Sequence, residues 1–478
     1  MSDTDIVFIN PPLSQEERYG VKFKAGGQTP PTGLALLAAI CRNKDYTVNI
    51  IDAPALNLSI KSILTEIKFH NPKYVGITSS TIAIYNVKEL ALEIKKQNPD
   101  IKIILGGAHI TAVPEETIER MGWFFDIAVI GEADITILEL IDALEHNKPL
   151  KQVKGIAYKE NDRLIFTEKR EILMNLDSLP LPAWDLLPDL AKYYTPPAHT
   201  VKRFPAALLV TSRGCSGSCT FCDRSVFGNR LRGHSADYII NMIKHLKKNY
   251  GIKEIQFRDD NLLVFKNTVT KLCERLIKEK INIIWSCTGR IDSVNIDYLK
   301  LLKKAGCWQI WYGIESGCDR VLKVMKKNIN VEKIRKVVND THNVGISVGG
   351  FFILGTQTET EDEIKQTIKF MLELPIDEFH YSFLVPFPGS EIYKTASSYG
   401  YFNNDWKKLN GWVTSFVTQG LSHEKLAYYS NLAFRKFYFR PRIIFNYIKR
   451  IRSFRALKVY FTALFGLIAM TSKKVRKA

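Results

Sequence analysis

Two blocks of this chain alternate short apolar runs, rich in β-branched residues, with segments of helical length. Because strands that alternate with helices form parallel sheets, each block predicts an α/β domain. In residues 1–148 the pattern predicts a doubly wound, Rossmann-like parallel sheet covered by helices on both faces. Its candidate strands are Ile6–Ile9, Thr47–Ile51, Tyr74–Thr78, Lys102–Leu105 and Ile127–Ile130.

The second block, residues 205–392, predicts a partial (β/α)6 barrel, whose reactive groups would lie at the C-terminal ends of its strands. Between the blocks, residues 149–204 contain the Pro-rich run LDSLPLPAWDLLP, Leu176–Pro188. Its Leu and Trp residues predict an ordered inter-domain strap rather than a flexible linker. The candidate barrel strands are Ala207–Thr211, Glu254–Phe257, Ile283–Ser286, Gln309–Gly313, Ser347–Ile353 and Tyr381–Val385.

The cysteines are distributed unevenly along the chain. Of eight cysteines, three lie close together and the others are scattered, which is not the pattern of a disulfide scaffold. The first residues lead into a candidate strand and do not form a secretory leader. Both features predict a reducing, cytoplasmic location.

The clustered cysteines are Cys215, Cys219 and Cys222, on a Gly- and Ser-rich segment directly after the first predicted barrel strand. Thiolates are the usual ligands of iron–sulfur clusters, and three ligands leave one iron of a four-iron cluster without a protein ligand. Such an open position is typical of reactive rather than structural metal sites. The alternative is a structural zinc site with His234 as fourth ligand, although such sites usually contain two Cys-x-x-Cys pairs.

The spacing Cys215-x-x-x-Cys219-x-x-Cys222, with Phe221 before the third cysteine, resembles the signature of the radical S-adenosylmethionine (SAM) superfamily. The resemblance implies that the three cysteines bind a [4Fe–4S] cluster whose open iron chelates SAM. An electron from the cluster would then cleave SAM to a 5′-deoxyadenosyl radical. The protein would position and shield the reactants, while the cofactor supplies the chemistry.

The same resemblance assigns roles to polar residues after the later barrel strands. Asp259 and Asp260 fall where the family contacts the methionine amino group of SAM. Arg290 is suited to hold a carboxylate, and Glu315 to accept from ribose hydroxyls or the methionine ammonium. Helix caps and ion pairs are the alternative roles. Gly355 ends the fifth strand, but the Pro-Gly that often follows this glycine in the family is missing.

Residues 1–148 resemble the cobalamin-binding domain of the cobalamin-dependent radical SAM branch, which includes hopanoid-modifying enzymes and the anaerobic magnesium-protoporphyrin oxidative cyclase. The usual cobalt-ligating sequence Asp-x-His-x-x-Gly is replaced by Asp52-Ala-Pro-Ala-Leu-Asn57, so no histidine is available there. His109 is expected to be a loop histidine bonded to the backbone rather than to cobalt. A structural domain without cobalamin is the alternative. Small residues at strand ends, which let a macrocycle approach the backbone, are Ser79, Ser80, Gly106 and Gly107.

The net charge of +18 is concentrated in the last part of the chain, since Lys425 to Ala478 contains 14 Lys or Arg and no Asp or Glu. Residues 393–478 are predicted to be a helical, basic, membrane-seeking region. The uncharged run Val459–Ser472 is too short to cross a bilayer and suits an interfacial amphipathic helix. The alternatives are that its apolar face packs on the barrel or that its basic face binds nucleic acid.

Together these features predict a radical SAM enzyme of the cobalamin-dependent methyltransferase or oxidative cyclase type. Its cofactors would be a [4Fe–4S] cluster, SAM and cobalamin, and its substrate a lipid-like or tetrapyrrole-like small molecule. We expect a reductant such as flavodoxin or ferredoxin, the inner membrane face as the location, and no nucleic-acid partner. Two other functions stay open: a tRNA methylthiotransferase, which normally needs more first-domain cysteines than Cys41, and a non-catalytic cobalamin- or lipid-binding adaptor.

Overall fold

The computed structural model describes residues 4–19, 27–197 and 200–450, with the side chains of residues 449 and 450 left out. The described residues form two larger sheets, each parallel over most or all of its strands, which confirms the predicted α/β class. The first sheet precedes the Pro-rich run Leu176–Pro188 of the strap, and the second sheet follows it. The C-terminal helices pack on the second sheet.

The first sheet is the predicted doubly wound domain with a hairpin added at one edge. In chain order its strands are β1 (Ile6–Asn10), β2 (Val48–Asp52), β3 (Tyr74–Thr78), β4 (Lys102–Gly106), β5 (Ile127–Val129), β6 (Ile156–Glu160) and β7 (Arg163–Phe166). Across the sheet the order is β2-β1-β3-β4-β5-β6-β7, and the pairs from β1 to β5 are parallel. The parallel strands therefore end along one shared edge, where a ligand of this domain would bind.

The β6–β7 hairpin was missed by the sequence analysis, which assigned its residues to the strap. Both pairings of β6 are antiparallel. The turn residues Asn161 and Asp162 have φ of 48° and 60°. Positive φ at both central residues is typical of the tight turns that connect hairpin strands, and Asn and Asp tolerate it better than most residues. The Asn-Asp pair was thus the available signal.

The second sheet is parallel throughout and curls into the predicted partial barrel. In chain order its strands are β8 (Ala206–Leu209), β11 (Glu254–Phe257), β12 (Ile284–Gly289), β13 (Cys307–Glu315), β14 (Ser347–Leu354) and β15 (Glu378–Phe383). Their order across the sheet is the chain order. Two short antiparallel pairs lie beside it, β9 (Ser212–Arg213) with β10 (Arg232–Gly233), and β16 (Gly400–Phe402) with β17 (Phe416–Thr418).

Helices cover the sheets, and several of them begin at polar caps. Ser235 caps one helix and Thr360 forms a reciprocal capping box with Glu363. Helices of the first part are α1 (Gln15–Tyr19), α2 (Thr32–Arg42), α3 (Ala53–Leu56), α4 (Ile60–His70), α5 (Ile84–Gln97), α6 (Ala108–Ala112), α7 (Pro114–Met121), α8 (Thr136–Glu145) and α9 (Leu190–Tyr193). Later helices are α10 (Ala236–Tyr250), α11 (Lys266–Lys278), α12 (Ile296–Lys304), α13 (Asp319–Val324), α14 (Val331–Asn343), α15 (Glu361–Glu373), α16 (Glu391–Tyr399), α17 (His423–Tyr438) and α18 (Pro441–Arg450).

The strap is ordered because its apolar residues are buried between the two sheets' helices. Leu176 and Trp184 are nearly fully buried in a core shared by α2, α8 and α10. The amide of Ala183 donates to the carbonyl of Ala35 at 2.9 Å, and the hydroxyl of Tyr238 donates to the carbonyl of Pro180 at 2.8 Å. The strap therefore fixes the position of the first domain against the barrel.

The C-terminal helix α17 packs on the barrel sheet through aromatic side chains. In α17, Phe434 and Phe437 are buried, with ring centres 5.1 and 4.7 Å from that of Phe379 on β15. Among the described residues, no helix combines the length and the apolarity needed to span a bilayer. The predicted interfacial run Val459–Ser472 lies outside the described residues.

Candidate cofactor site between the two sheets

The three cysteines lie on one loop between β9 and β10, at the C-terminal end of the barrel sheet; we call it the cysteine loop (residues 214–223). The amide of Cys222 donates to the carbonyl of Cys219 at 3.3 Å, and the Cys222 thiol donates to the Cys219 sulfur. This hydrogen bond, together with two nearby cations, lowers the pKa of Cys219 to about 6. Within this pair the proton stays on Cys222, whose pKa the same hydrogen bond raises, and Cys219 is the thiolate, the form that binds metal. The sulfur of Cys215 accepts from the amide of Gly217 at 3.4 Å.

Asp259 is hydrogen-bonded to the residues that lead into this loop. Its Oδ1 accepts from the amide and hydroxyl of Thr211 at 2.7 and 3.0 Å and from the hydroxyl of Ser212 at 2.6 Å. Its Oδ2 is buried and has no hydrogen-bond partner, and burial raises the pKa of Asp259 to about 6. The structure therefore places one oxygen of Asp259 on the loop and leaves the other unsatisfied. Asp260, beside it, is exposed.

Segments that follow later barrel strands hold the middle of the loop. The amide of Thr220 donates to the carbonyl of Met325 at 3.1 Å, and its hydroxyl accepts from Nε2 of Gln357 at 3.0 Å. The carbonyl of Thr220 accepts from the amide of Ile392 at 3.0 Å. Phe221 is half-buried against an apolar cluster that includes Ile392. The loop conformation thus depends on three separate parts of the barrel.

Two ion pairs lie next to the cysteines. Nζ of Lys327 donates to Oε1 of Glu315 at 2.6 Å, and both side chains are less than a tenth exposed. Arg290 donates to both carboxylate oxygens of Asp292, at 3.0 and 2.8 Å, and to the carbonyl of Lys327 at 3.2 Å. The carboxylate that Arg290 holds here is therefore an internal one. Lys327 was not predicted as a site residue, because nothing in its spacing from the other residues indicates that it lies beside the cysteines.

A buried ionic network joins the cysteine loop to the end of β5. Arg213, two residues before Cys215, donates to Glu132 at 2.6 Å and to both oxygens of Asp134, at 2.5 and 2.9 Å. Arg232 donates to both oxygens of Glu132, at 2.6 and 2.9 Å. The four side chains are at most 12% exposed. Because removing one partner from a buried ion pair is costly, the network fixes the loop relative to the first sheet.

The rim of the first sheet is built differently, from small neutral residues. The amide and hydroxyl of Ser79 both donate to the carbonyl of Gly106, at 2.7 and 2.8 Å. Gly107 has φ of +102°, and a Cβ there would lie 2.6 Å from backbone atoms of Ser79. Only glycine therefore fits at this position. Ser80 is exposed beside it, and the resulting flat, neutral rim suits the edge of a macrocycle.

His109 is occupied within the protein. Its ring nitrogens lie 3.2 Å from the hydroxyl of Thr81 and 3.1 Å from that of Thr117, and its ring packs edge-on against Trp406 at 4.4 Å. Burial lowers the pKa of His109 to about 3, so the ring is neutral at physiological pH. His109 thus bonds inside the protein, as expected, but the expectation of backbone partners was wrong: both ring nitrogens lie beside side-chain hydroxyls. Trp406 comes from the segment after the barrel.

Two further sequence-predicted positions are engaged in internal contacts. The carboxylate of Asp52 accepts from Tyr194 at 2.6 Å and from Asn10 at 2.8 Å, and burial raises its pKa. The amide of Gly355 donates to Oε2 of Glu359 at 2.8 Å. Glu359 is fully buried with its Oε1 unsatisfied, and burial raises its pKa to about 7. Glu359 is a rim carboxylate to which the sequence analysis assigned no role.

The donor set fits a [4Fe–4S] cluster better than zinc. Nδ1 of His234, the fourth ligand that a zinc site would use, lies 3.1 Å from Asp177, and its ring stacks on Tyr238. Within the described residues, no group of three His, Cys, Asp or Glu side chains, the loop cysteines included, is already arranged around one metal ion. Three thiols on one loop beside two cationic side chains match the thiolate ligands and the negative charge of such a cluster.

A loop with three thiols at the rim of a partial barrel, tied to a Rossmann-like domain, is the arrangement of a metal-cluster enzyme with a second ligand-binding domain. Residues 209–371 match the family model of the Radical SAM superfamily, and residues 20–141 match that of the B12 binding domain. The chain is 32% identical over 471 residues to the uncharacterized methyltransferase PH0819 of Pyrococcus horikoshii, covering 96% of this chain and 99% of the relative. The chain therefore belongs to the cobalamin-dependent radical SAM methyltransferase family.

Other similar proteins support this assignment. The chain is 27% identical over 375 residues to the anaerobic magnesium-protoporphyrin IX monomethyl ester cyclase of Rubrivivax gelatinosus, covering 77% of this chain and 66% of the relative. The structure of OxsB with aqua-cobalamin and SAM matches with a TM-score of 0.76 and 18% identity, over 98% of this chain and 72% of that one. This last likeness shows the fold. The predicted enzyme class and the cofactors of the family, a [4Fe–4S] cluster, SAM and cobalamin, are confirmed.

Proposed function

We propose that this enzyme methylates an unactivated carbon of a lipid-like or tetrapyrrole-like substrate at the junction of its two sheets. Cys215, Cys219 and Cys222 would hold the cluster, and the rim around Ser79 and Gly107 would receive cobalamin. The observation that carries the proposal is the buried network between Arg213 and the end of β5. It ties the cysteine loop to the cobalamin-type domain, as expected if a radical and a methyl carrier must reach the same carbon.

When bound, the cluster supplies the electron that cleaves one SAM, and cobalamin carries the methyl group taken from a second SAM. Two SAM and two electrons would thus convert one C–H bond into C–CH3, releasing 5′-deoxyadenosine, methionine and S-adenosylhomocysteine. A donor of the flavodoxin or ferredoxin type would supply the electrons. Lys327 and Arg290 would balance the negative charge of the thiolates, while Glu315 and Asp292 hold these two cations in place.

Methyl loading can be tested without knowing the substrate. The chain is reconstituted without oxygen with iron, sulfide and cobalamin, reduced, and supplied with SAM whose methyl group is deuterated. We expect about four irons and one cobalt per chain, 5′-deoxyadenosine in solution, and the deuterated methyl group on extracted cobalamin. The measurements are metal analysis and mass spectrometry.

A chain with its three loop cysteines changed to alanine is the control for this experiment and should bind cobalt but produce no 5′-deoxyadenosine. Cobalt bound without label transfer, in a chain that still cleaves SAM, would contradict methylation and favour the cyclase type of reaction. Iron bound without cobalt would leave the first domain as scaffold.

We also propose that the basic C-terminal region attaches the enzyme to the inner face of the membrane. In α18, Ile444, Phe445 and Ile448 are 44, 55 and 58% exposed, whereas Ile443 is buried. This exposed apolar face stands in a region that carries 14 Lys or Arg and no acidic residue. An apolar face flanked by cations is the pattern of interfacial helices that bind anionic lipid.

The attachment is tested by sedimentation with vesicles of phosphatidylglycerol and phosphatidylcholine. Replacing Ile444, Phe445 and Ile448 by serine should lower the bound fraction by at least roughly tenfold, because buried apolar area is lost. Phe69→Ser is the matched control, since Phe69 is 59% exposed on α4. Equal binding of both variants, or equal binding to vesicles without phosphatidylglycerol, would overturn the proposal.

A further inference from the structure

The inner face of the partial barrel keeps open surface, although the sheet is otherwise buried. On β14, Phe351 is partly exposed while Phe352 is buried; on β15, His380 and Ser382 are partly exposed while Tyr381 is buried. Because successive side chains of a strand point to opposite faces, the partly exposed positions share one face. The opposite face is covered by helices. The residual exposure therefore belongs to the barrel lumen.

One side of this lumen is an aromatic wall, which we define as Trp311, Phe351, His380 and Trp412. The ring centres of Trp311 and Phe351 are 5.0 Å apart, those of Phe351 and His380 are 6.0 Å apart, and those of His380 and Trp412 are 5.1 Å apart. Gly349 leaves the space for Trp311, since a Cβ there would lie 2.3 Å from the indole. The wall spans three strands and the segment after the barrel, and it suits a flat, π-rich ligand.

Arg258 faces this wall across the sheet. Phe257 pairs with Cys287, so Arg258, one residue further, lies at the level of Thr288, which pairs with Trp311. Its Nη2 donates to Oε1 of Gln256 at 3.0 Å. Arg258 is therefore placed in the same row of the lumen as the first ring of the wall.

Arg258 has no carboxylate partner within the part of the chain that the structure describes. Glu254, on the same face of β11, attracts Arg258 without bonding to it, since its oxygens accept from the indole of Trp308 and from the amides of Lys202 and Arg203. A guanidinium removed from water without a carboxylate bonded to it is unfavourable. An anionic ligand group would remove this cost.

The histidine of the wall adds a neutral polar contact. Neither ring nitrogen of His380 has a hydrogen-bond partner among the described residues, and burial lowers the pKa of His380 to about 4. The ring is thus available to a polar atom of a ligand. A lumen with one unpaired cation, one free imidazole and several aromatic rings has a defined chemical preference.

We infer that the barrel lumen binds a substrate with a flat conjugated body and an oxyacid anion, with Arg258 on the anion and the aromatic wall against the body. The inference rests on the proposed function and narrows its substrate class to compounds that carry both groups. Carboxylate and phosphate share the oxygen geometry that a guanidinium recognises. Arg258 is a specificity-determining residue in this assignment.

The test measures binding of three probes to the reconstituted holoenzyme with SAM by anaerobic titration calorimetry: naphthalene-2-carboxylate, 2-naphthyl phosphate and neutral 2-naphthamide. We expect at least one of the two anions to bind roughly 10- to 100-fold more tightly than the amide, and the better anion identifies the acid class. Arg258→Gln should remove the preference, and Arg258→Lys should keep part of it. Arg335→Gln on the outer face of α14 is the matched control, since Arg335 pairs there with Glu373 at 2.7 Å.

Equal binding of all three probes by the wild-type chain would overturn the inference, and this comparison requires no variant to fold. An anion preference that persists unchanged in Arg258→Gln would overturn the role of Arg258. Reductive cleavage of SAM is measured in the same wild-type samples. Its absence would contradict the proposed function, whereas its presence with no anion preference would contradict this inference alone.

Discussion

The barrel rim and the rim of the first sheet hold their cofactor regions by different physical means. At the barrel rim, buried charges are paired around the thiols, as in Lys327 with Glu315 and Arg290 with Asp292. At the first rim, backbone atoms approach each other closely at Ser79 and Gly107, and the side chains are small and neutral. A charged cofactor demands charge compensation, whereas a large macrocycle demands shape. Glu132 and Asp134 differ from this pattern: they follow β5 of the first sheet but pair with Arg213 and Arg232 at the barrel rim.

The largest expected effect is that loss of the thiols abolishes cofactor binding at the barrel rim and leaves it unchanged at the first rim. Replacing any of Cys215, Cys219 or Cys222 by alanine should remove the cluster and reduce 5′-deoxyadenosine formation below detection, because each thiolate is a ligand of the same cluster. Cobalamin uptake by the first rim should be unchanged. Iron analysis and product chromatography measure the first effect, and cobalt analysis the second.

Cys318→Ala is the control, since Cys318 is a buried thiol outside the cysteine loop. It should keep both iron and SAM cleavage. Loss of cobalt together with iron in the loop variants would show that the two rims do not act independently.

The second-largest effect is expected at the buried ionic network that joins the two rims, in which Glu132 pairs with Arg213 and Arg232. Glu132→Gln leaves Arg232 without its buried counter-ion and removes one of the two carboxylates that pair with Arg213, so the free energy of unfolding should fall by about 3–5 kcal/mol. The variant should also retain less iron, since Arg213 precedes the cysteine loop. Denaturant unfolding without oxygen and iron analysis after gel filtration measure these effects.

Glu160→Gln provides the comparison, because Glu160 is exposed on the same sheet. Similar stability losses in the two variants would mean that the buried network stabilises the fold no more than an exposed glutamate does. Normal iron retention in Glu132→Gln would remove its proposed link to the loop.

The third prediction tests close backbone approach at the first rim. Gly107→Ala and Gly122→Ala both place alanine at positive φ, 102° and 70°, but only the first adds a Cβ against Ser79. Gly107→Ala should therefore lower the free energy of unfolding by about 1–3 kcal/mol more than Gly122→Ala. It should also weaken cobalamin binding, measured by its absorbance change. Equal costs would reject the steric explanation.

The smallest expected effect near neutral pH is a pH dependence of stability that arises at the first rim. The pKa of His109 falls from 6.5 to about 3 on folding because the ring is buried. Between pH 6.5 and 3, His109 binds a proton in the unfolded chain but not in the native chain, so the free energy of unfolding falls as the pH falls towards 3. His109→Gln should flatten this dependence by up to about 1.4 kcal/mol per pH unit.

Denaturant unfolding at several pH values measures the slope, with His146→Gln as the control at an exposed histidine. An unchanged slope in His109→Gln would mean that another group controls the acid sensitivity. The electron paramagnetic resonance spectrum of bound cobalt should be the same with and without His109, since its ring is bonded to Thr81 and Thr117.

Much of the fold was predictable because it depends on local pattern. The strands β3 and β11 were predicted at their observed bounds and the other predicted strands within three residues at either end, as hydrophobic periodicity is set by neighbours along the chain. The β6–β7 hairpin was missed because β7 is a four-residue edge strand, Arg163–Phe166, whose exposed and half-exposed residues do not alternate between a buried and an open face. The domain boundaries 1–148, 149–204, 205–392 and 393–478 stay a prediction.

By itself, the sequence determined the two α/β blocks, the ordered strap and the loop that carries three thiols, because each follows from residue type and spacing over short distances. Only the tertiary structure decided which charges meet. Arg213 pairs with Glu132 across 81 positions of sequence, and Arg290 turns to Asp292 instead of an open site. A charge can be read from a sequence, but its partner depends on which strand ends converge and on what burial excludes from water.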